Sequence, residues 1–292
     1  MKRTLNIVGC GRVGRTLGRL WAGRRTFEIG DLFDGTPANS AAAADFIGAG
    51  RAARNMAEMC GADAWMLTPP DDQIAICCEA LAATGVLAAG NVVFHCSGAL
   101  PSSDLAPAAR RGAAVASVHP LKSFAEPASA AQTFAGTGCA AEGDARALAV
   151  LTPAFESIGG VVCAIDPGAK STYHAASVIV CNYLVALLET GVRCYEKAGF
   201  ARDDALQMME PLVRETLDNV FRLGTVRALT GPVARGDHAV IARQLEALAG
   251  WEPRIAAIYR ELGLAAVGLA RQQAEVDAAN LGEIERVLTG GK

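Results

Sequence analysis

Polar residues that can bind or activate a small molecule follow two short apolar runs in the first half of the chain. Ser97 and Gly98 come after the run at 91–95, and His119 follows the run at 113–118. If these runs are neighbouring parallel strands, their carboxyl ends form the edge at which ligands of open sheets bind. A serine hydroxyl and a turn N–H both donate hydrogen bonds to a carboxylate. We therefore predict that Ser97, Gly98 and His119 bind a small carboxylated substrate.

A glycine-rich segment directly follows the first apolar run, residues 4–8, and opens a helical pattern. Its spacing is GxGxxG: the first glycine permits a tight turn, the second lets a pyrophosphate approach the backbone, and the third lets helix and strand pack closely. Unpaired N–H groups favour an anion at that helix N-terminus. The spacing predicts a dinucleotide site of the Rossmann type, and the alternative is a tight turn without a ligand. The predicted cofactor-binding residues are Gly9, Cys10, Gly11, Arg12, Val13 and Gly14, with Thr68, Pro69 and Pro70 at the nicotinamide end.

Asp34 ends the second predicted strand, 20 residues after Gly14. A carboxylate in this place hydrogen-bonds the 2′-hydroxyl of the adenine ribose and repels a 2′-phosphate. Asp34 therefore favours NAD over NADP. Two alternatives stay open: Asp34 only shapes the turn before Gly35, or Arg12 or Arg51 binds a 2′-phosphate.

Lys170 and His174 lie four residues apart in a helical segment and so share one face of it. Asn182 lies two turns further along this apolar helix, where an unpartnered polar side chain is costly. A histidine exchanges protons near neutral pH, and either side chain can protonate an alkoxide that forms during hydride transfer. We predict His174, Lys170 and Asn182 as catalytic residues. The alternative is that His174 and Asn182 only bind backbone groups between two domains.

The loop at 229–237, with the sequence LTGPVARGD, is the most unusual one in the second half of the chain. Asp237 is placed to cap the following helix. Arg235 is a candidate to clamp a substrate carboxylate through two hydrogen bonds or to brace a partner subunit. The alternative is a cap and turn without a ligand.

The arrangement of these motifs requires two different domains. Apolar runs alternate with helical patterns through residues 1–165, which predicts an α/β Rossmann domain with a doubly wound, mostly parallel sheet. Residues 166–292 show helical patterns only and predict an all-helical domain for substrate binding and dimerisation. Its helices are predicted at 167–197, 202–223, 239–249, 252–271 and 275–288.

Composition excludes several classes of protein. The 292 residues carry a net charge of −3, with 51% hydrophobic and 20% charged residues, so disorder and a nucleic-acid-binding surface are not expected. Nine scattered cysteines without CxxC and only four histidines predict neither a disulfide framework nor a metal site. The longest apolar stretch, 175–188, is too short for a bilayer. We expect a cytoplasmic protein without a membrane partner.

Cys96 is either a reactive thiol or a small buried residue.

Five sequence blocks together resemble a bacterial family of Rossmann-like proteins with a C-terminal helical domain of unknown function. The blocks are GCGRVG, HCSGAL, SVHPLKSF, KSTYHAAS with Asn182 downstream, and LTGPVARGD, and the resemblance covers residues 4–265. That family looks like a relative of the 6-phosphogluconate and 3-hydroxyisobutyrate dehydrogenases, ketopantoate reductase and pyrroline-5-carboxylate reductase. The resemblance implies NAD or NADP in an interdomain cleft and a homodimer formed through the long helix. In the hydroxyacid dehydrogenases a lysine acid precedes an asparagine by four residues; Lys170 matches the lysine, and His174 stands where the asparagine would be.

The leading hypothesis is an NAD(P)-dependent oxidoreductase that transfers hydride to or from a small carboxylated keto or hydroxy acid. A ketopantoate-type or imine-type reductase that uses NADPH, or a deazaflavin-linked one, is the alternative among enzymes. A regulatory dimer that binds a nucleotide without catalysis is the alternative of another class.

Overall fold

The computed structural model of the chain describes residues 2–273 and 276–291. They form two compact units, which divide between Tyr183 and Leu184. The predicted boundary, after residue 165, lies where the last strand has just ended. The first unit extends further because Lys170, on the helix after that strand, is buried with a relative exposure of 1%.

The first unit contains one sheet of eight strands in the order β3-β2-β1-β4-β5-β6-β7-β8. All neighbours pair in parallel except β6 and β7, which are antiparallel. The predicted doubly wound, mostly parallel sheet is confirmed, although the two-residue strand β3 was too short to be predicted. The strands are β1 Thr4–Val8, β2 Glu28–Phe33, β3 Arg51–Ala52, β4 Ala64–Leu67, β5 Val92–His95, β6 Ala114–Pro120, β7 Gly138–Gly143 and β8 Val161–Ala164.

Helices and short turns connect these strands. The helices are α1 Arg12–Arg24, α2 Pro37–Ile47, α3 Asp71–Ala83, α4 Ala106–Ala109, α5 Pro127–Gln132, α6 Ala145–Ser157 and α7 Lys170–Ser177. The strand order reverses between β1 and β4, which is the point where dinucleotides bind in sheets of this kind. Leu67 pairs with His95 and His95 with Ser117, so the carboxyl ends of β4, β5 and β6 lie side by side.

The core lies on both faces of the sheet. Every residue of β4 is buried, as expected for a parallel strand that is covered on both sides. On one face Trp21 packs edge to face against Phe27 and Phe155, and its indole N–H donates to the carbonyl of Ala154 at 2.9 Å. Those aromatic contacts hold α1 and α6 against the sheet and thereby fix the start of α1 beside the glycine-rich loop.

The second unit is helical throughout the part that the structure describes, which confirms the predicted class of the C-terminal region. Its helices are α8 Tyr183–Lys197, whose first residue still belongs to the first unit, and α9 Arg202–Leu223, α10 Thr225–Ala228, α11 Gly231–Ala234, α12 His238–Ala249, α13 Pro253–Ala270 and α14 Ala278–Thr289. The last helix was predicted to begin at Glu275, which lies outside the described residues. It begins at Ala278, where the Asp277 side chain accepts a hydrogen bond from the N–H of Ala279.

A continuous helical stretch runs from Pro167 to Lys197 through α7, a π-helical turn at Val178–Asn182, and α8. By length and composition, its 31 residues are long and apolar enough to cross a membrane. The apolar stretch at 175–188, considered alone in the sequence, is too short to do so. Core helices of soluble proteins meet the same criterion. Only 6% of its most apolar part is buried within this chain.

Candidate functional site

The glycine-rich loop fits tightly against the end of β4. Gly9 has φ +94°, and a Cβ on it would lie 2.4 Å from the Pro69 nitrogen. A Cβ on Gly14 would lie 2.4 Å from the Gly9 carbonyl oxygen. The Thr68 hydroxyl donates to that same carbonyl at 2.7 Å. The first and third glycines therefore do what their spacing predicts: they permit the turn and the close packing of helix on strand.

The open side of this loop fits a pyrophosphate. Gly11 has no atom within 4 Å of the position that a Cβ would take, and it precedes α1 as its N-cap without a side-chain cap. The first N–H groups of α1, from Arg12 onward, are therefore left for an anion. A cavity of about 300 Å³ adjoins the loop; its lining includes Gly9, Gly11, Asp34, Thr68, Pro69 and Pro70. The residues present thus fit a dinucleotide.

Asp34 both lines this cavity and holds the loop. One carboxylate oxygen accepts from the Cys10 N–H at 2.9 Å, and the other accepts from the Thr36 N–H and the Asn39 amide, each at 3.0 Å. Burial raises the pKa of the carboxyl, but the hydrogen bonds from Thr36, Asn39 and Cys10 outweigh it, so the pKa lies below its usual value. Asp34 is therefore an anion at neutral pH. It shapes the turn and also faces the cavity.

The alternative anion site at Arg51 is not free. Its guanidinium bonds Asp31 at 2.7 Å and 2.9 Å, on the outer side of β2. Arg12 is exposed at the start of α1, and its side chain makes no hydrogen bond within the described residues. Of the two arginines considered as ligands of a 2′-phosphate, Arg12 keeps all its donors available, whereas Nε and Nη2 of Arg51 are bonded to Asp31 and Glu58.

Ser97 connects the cofactor end of the sheet edge to the next turn. Its hydroxyl donates to the Asp71 carboxylate at 2.8 Å and accepts from the N–H groups of Ala99 and Leu100. A serine hydroxyl has one proton, so Ser97 presents no spare donor to a substrate carboxylate. A smaller cavity of about 90 Å³ lies here and is bounded by Val13, Leu67, Thr68, Pro69, Asp71, Ile74, Cys96 and Ser97.

Two histidines and a tyrosine meet above Gly98. His119, in β6, and His174, in α7, pack edge to face with ring centroids 5.8 Å apart. A Cβ on Gly98 would lie 2.5 Å from Nδ1 of His174 and 2.9 Å from Nε2 of His119. On its other side, Nδ1 of His119 lies 3.0 Å from the Tyr173 hydroxyl. The two predicted histidines therefore belong to one cluster, which forms only because residue 98 has no side chain.

The electrostatics of this cluster keep His119 neutral. Burial, together with the neighbouring His174 and Lys170, lowers the pKa of His119 to about 4. Nδ1 of His174 is buried and makes no hydrogen bond within the described residues. A buried polar atom without a partner is costly, and it is a feature that a ligand can satisfy.

Lys170 points into the protein interior. Its ammonium donates to the Ser117 hydroxyl at 2.5 Å and to the Ser97 carbonyl at 3.1 Å, and it lies 4.0 Å from the Glu142 carboxylate. Glu142 in turn accepts from the N–H and hydroxyl of Ser102. Burial lowers the pKa of Lys170, and Glu142 partly offsets this. Lys170 thus ties α7 to the ends of β5 and β6.

His95 and Cys96 are structural. His95 is fully buried, with Nε2 3.1 Å from the Pro101 carbonyl and with Nδ1 accepting from the Ser97 N–H at 3.2 Å. Burial lowers the pKa of His95 to about 4. Burial also raises the pKa of the Cys96 thiol far above its usual value, which favours the interpretation of Cys96 as a small packed residue over that of a reactive thiol.

Two further predicted site residues, Asn182 and Arg235, lie one in each unit. Asn182 is exposed at the end of the π-helical turn, and its side chain makes no hydrogen bond within the described residues. Arg235 belongs to the second unit, where its guanidinium bonds Asp237 at 2.9 Å. Asp237 precedes α12, but its side chain does not cap the helix, because it binds Arg235 instead. The predicted side-chain cap is therefore wrong.

Sequence reasoning missed Tyr173 and Glu142. Tyr173 stands three residues after Lys170 in the block KSTYHAAS, and i,i+3 spacing was a signal that it shares a face with that lysine. Glu142 gave no signal, because an acidic residue in a short strand does not reveal its partner. Among residues 2–273 and 276–291 no group of three or more potential ligands is placed to hold a metal ion.

The comparisons with known proteins agree with this geometry. Residues 2–120 match the family model of the Rossmann-like domain, and residues 137–266 match that of DUF2520, a domain of unknown function. This is a Rossmann-like protein with a DUF2520 domain. The predicted combination of domains is thereby confirmed. A search of curated proteins for similar sequences found no match.

Several solved structures share the fold of this Rossmann-like and DUF2520 chain. Protein TM1727 from Thermotoga maritima is 25% identical, with a TM-score of 0.72 over 92% of this chain and 98% of that one. Protein BF3122 from Bacteroides fragilis, provisionally described as an NADP oxidoreductase, is 19% identical, with a TM-score of 0.73 over 92% and 98% of the two chains. Pyrroline-5-carboxylate reductase from Coxiella burnetii is 13% identical, with a TM-score of 0.59 over 93% and 98%.

Proposed function

We propose that this chain is an NAD(P)-dependent oxidoreductase that acts on a small substrate at the carboxyl edge of β4, β5 and β6. The main observation behind the proposal is that hydrogen bonds connect the glycine-rich loop to the residues along that edge. Thr68 joins it to the glycine-rich loop at Gly9, and Asp71 joins it to Ser97, next to the histidine cluster above Gly98. The descriptions of the Bacteroides and Coxiella proteins as oxidoreductase and reductase support the same class.

The residues around the 300 Å³ cavity would hold the cofactor. The N–H groups at the start of α1 would bind its pyrophosphate beside Gly11, where no side chain intervenes. When bound, a nicotinamide dinucleotide supplies or accepts the hydride. Asp34 uses three of about four acceptor positions on its carboxylate for the protein, which leaves one for a ribose hydroxyl. Its negative charge favours NAD, and Arg12 is the group that would instead favour NADP.

The cluster above Gly98 would donate the proton that the reduced substrate oxygen takes up. Lys170 is buried and bonded to Ser117 and Ser97, so we assign it a positioning role and not that of the acid. His174 has an unpartnered Nδ1 beside Gly98, which makes it the preferred proton donor to a reduced substrate oxygen. Asn182 and Arg235 stay predictions as site residues.

An imine substrate is a second candidate, and Asp71 favours it. The Asp71 carboxylate is exposed at the sheet edge and accepts a hydrogen bond from Ser97. The carboxylate of a keto acid would bring a second negative charge to this place. An iminium carbon is already activated and carries a positive charge, which a carboxylate stabilises. A keto or hydroxy acid requires a donor to its oxygen, which His174 provides.

We further propose that the protein is a cytoplasmic homodimer formed through the long helix. Ile179, Val180, Tyr183 and Val185 on that helix expose between 59% and 69% of their surface in the single chain. Phe221 on α9 exposes 87%. Exposed apolar patches of this kind are typical of subunit interfaces. Sedimentation velocity is expected to give a dimer, and Val180→Asp is expected to give a monomer; a monomeric native chain contradicts the proposal.

The test of function is a titration of the purified chain with NADH and NADPH, followed by nicotinamide fluorescence. We expect binding of at least one, with NADH favoured. Keto acids and cyclic imines are then offered with the cofactor that binds. Oxidation of the cofactor by either class supports the enzyme and selects its substrate class. Binding without turnover favours the regulatory dimer, and absence of binding contradicts the proposal.

A further inference from the structure

A single hydrogen bond orients the His119 ring. The Tyr173 hydroxyl lies 3.0 Å from Nδ1 of His119, and the two rings pack edge to face with centroids 5.6 Å apart and an angle of 87°. Neither side chain makes another hydrogen bond within the described part of the chain. Nε2 of His119 points in the opposite direction, towards Gly98.

The direction of this bond follows from the protons that are present. Burial raises the pKa of Tyr173, so the phenol keeps its one proton at neutral pH. No acceptor other than Nδ1 of His119 lies within hydrogen-bond distance of that hydroxyl among the described residues. The imidazole is neutral because burial and the adjacent His174 and Lys170 lower its pKa to about 4, and it therefore carries one proton. If the phenol donates to Nδ1, the imidazole proton resides on Nε2.

We propose that Tyr173 is a positioning residue that fixes His119 in its Nε2–H tautomer, so that this N–H donates to an oxygen atom of the ligand bound beside Gly98. Nε2 of His119 and Nδ1 of His174 lie within 2.9 Å and 2.5 Å of the same point, the position that a Cβ of residue 98 would take. That point is one bond from the Gly98 Cα and is not itself a ligand position; it shows that the two nitrogens lie side by side, with His119 as the fixed donor and His174 as the buried nitrogen without a partner.

In the proposed reaction no bond to His119 forms or breaks. Its N–H stabilises the negative charge that develops on the substrate oxygen, while the proton itself comes from His174. A neutral imidazole serves this purpose because it keeps its proton when the charge develops. The identity of the ligand atom rests on the proposed function, whereas the tautomer of His119 does not.

The test is long-range ¹H–¹⁵N correlation NMR at pH 7 on the full chain with ¹⁵N-labelled histidine. The chain has four histidines, and His119→Gln identifies the signals of residue 119. We expect a protonated Nε2 and an unprotonated, hydrogen-bonded Nδ1 in the native protein. In Tyr173→Phe we expect the Nδ1 signal to move to that of a free acceptor and the second tautomer to appear.

Tyr195→Phe is the matched control, because the Tyr195 hydroxyl makes no hydrogen bond within the described residues and its ring packing on Phe200 is kept. It is expected to leave the His119 signals unchanged. A native protein with the proton on Nδ1 overturns the proposal, as does a Tyr173→Phe spectrum identical to that of the native chain.

A kinetic measurement separates this inference from the proposed function. With a keto acid that is turned over, Tyr173→Phe is expected to lower kcat about fivefold while the Kd of the cofactor is unchanged. An unchanged kcat overturns the role of the N–H in the reaction. If the native chain turns over no substrate, the proposed function fails, and the NMR spectra still decide the tautomer.

Discussion

The ammonium of Lys170 donates a 2.5 Å hydrogen bond to the hydroxyl of Ser117, in the interior of the first compact unit. Its charge is balanced by Glu142, 4.0 Å away and itself bonded to Ser102. Charged groups are buried in this way only when they are paired and hydrogen-bonded. These contacts favour a structural tie between helix and sheet over the proton donor that the sequence spacing predicts for Lys170.

Replacing this lysine is expected to destabilise the fold. Lys170→Met leaves Glu142 as a buried charge without its partner, which costs about 3–5 kcal/mol. Lys170→Met combined with Glu142→Gln removes both charges and is expected to recover part of that loss, since glutamine still accepts from Ser102. Urea unfolding measures both variants. Equal stability of the native chain and Lys170→Met would falsify the assignment of Lys170 as a buried tie.

Gly98→Ala is expected to disrupt the histidine cluster without disturbing the cofactor loop. The added Cβ would lie 2.5 Å from His174 and 2.9 Å from His119, so both rings must move. We expect turnover to fall by tenfold or more, because a misplaced proton donor loses most of its contribution. Cofactor affinity, measured by fluorescence, is expected to stay unchanged.

The matched control is Gly282→Ala, on α14, where no atom lies within 4 Å of the new Cβ. It is expected to leave turnover unchanged and to stabilise the chain by about 0.5–1 kcal/mol, because alanine is the better helix former. Native turnover in Gly98→Ala would place the reaction elsewhere.

Asp34→Asn is expected to change the choice of cofactor. The amide oxygen still accepts a hydrogen bond from the loop, but the negative charge that repels a 2′-phosphate is gone. We expect the ratio of NADH to NADPH affinity to fall by about tenfold, a change of about 1.4 kcal/mol. An unchanged ratio would show that Asp34 only shapes the turn.

His95 is expected to make stability depend on pH. Its folded pKa of about 4 lies below the unfolded value of about 6.5, so between these values the unfolded chain binds a proton that the folded chain does not. Stability should therefore decrease as pH falls from 6.5 towards 4, by up to about 1.4 kcal/mol per pH unit for this group. The structural cause is the full burial of His95, which disfavours its charged form. Nδ1 also accepts a hydrogen bond from the Ser97 N–H, which a protonated ring cannot do.

The measurement is urea unfolding at pH 7 and pH 5 for the native chain and His95→Gln. His119 has a similarly lowered pKa and adds to the slope of the native chain. The variant is expected to lose less stability between the two pH values than the native chain does. An identical loss in both proteins would exclude His95 as a source of the pH dependence.

Local patterns were enough to predict the glycine loop and the class of each half of the chain. Periodicity marks strands and helices, and the spacing of Gly9, Gly11 and Gly14 is a local requirement of one turn. The antiparallel pairing of β7 and the division after Tyr183 were not predictable in this way. Both depend on which distant segments pack together.

The sequence by itself determined which residue types stand at the ends of β4, β5 and β6, because strand periodicity is encoded locally. Only the tertiary structure decided what those residues do. Tyr173 meets His119 across 54 positions of sequence, and Lys170 meets Ser117 across 53. A side chain's role as proton donor or structural tie depends on the partners and burial that such long-range contacts create. The spacing of residues along the chain reveals neither the partners nor the burial of a side chain.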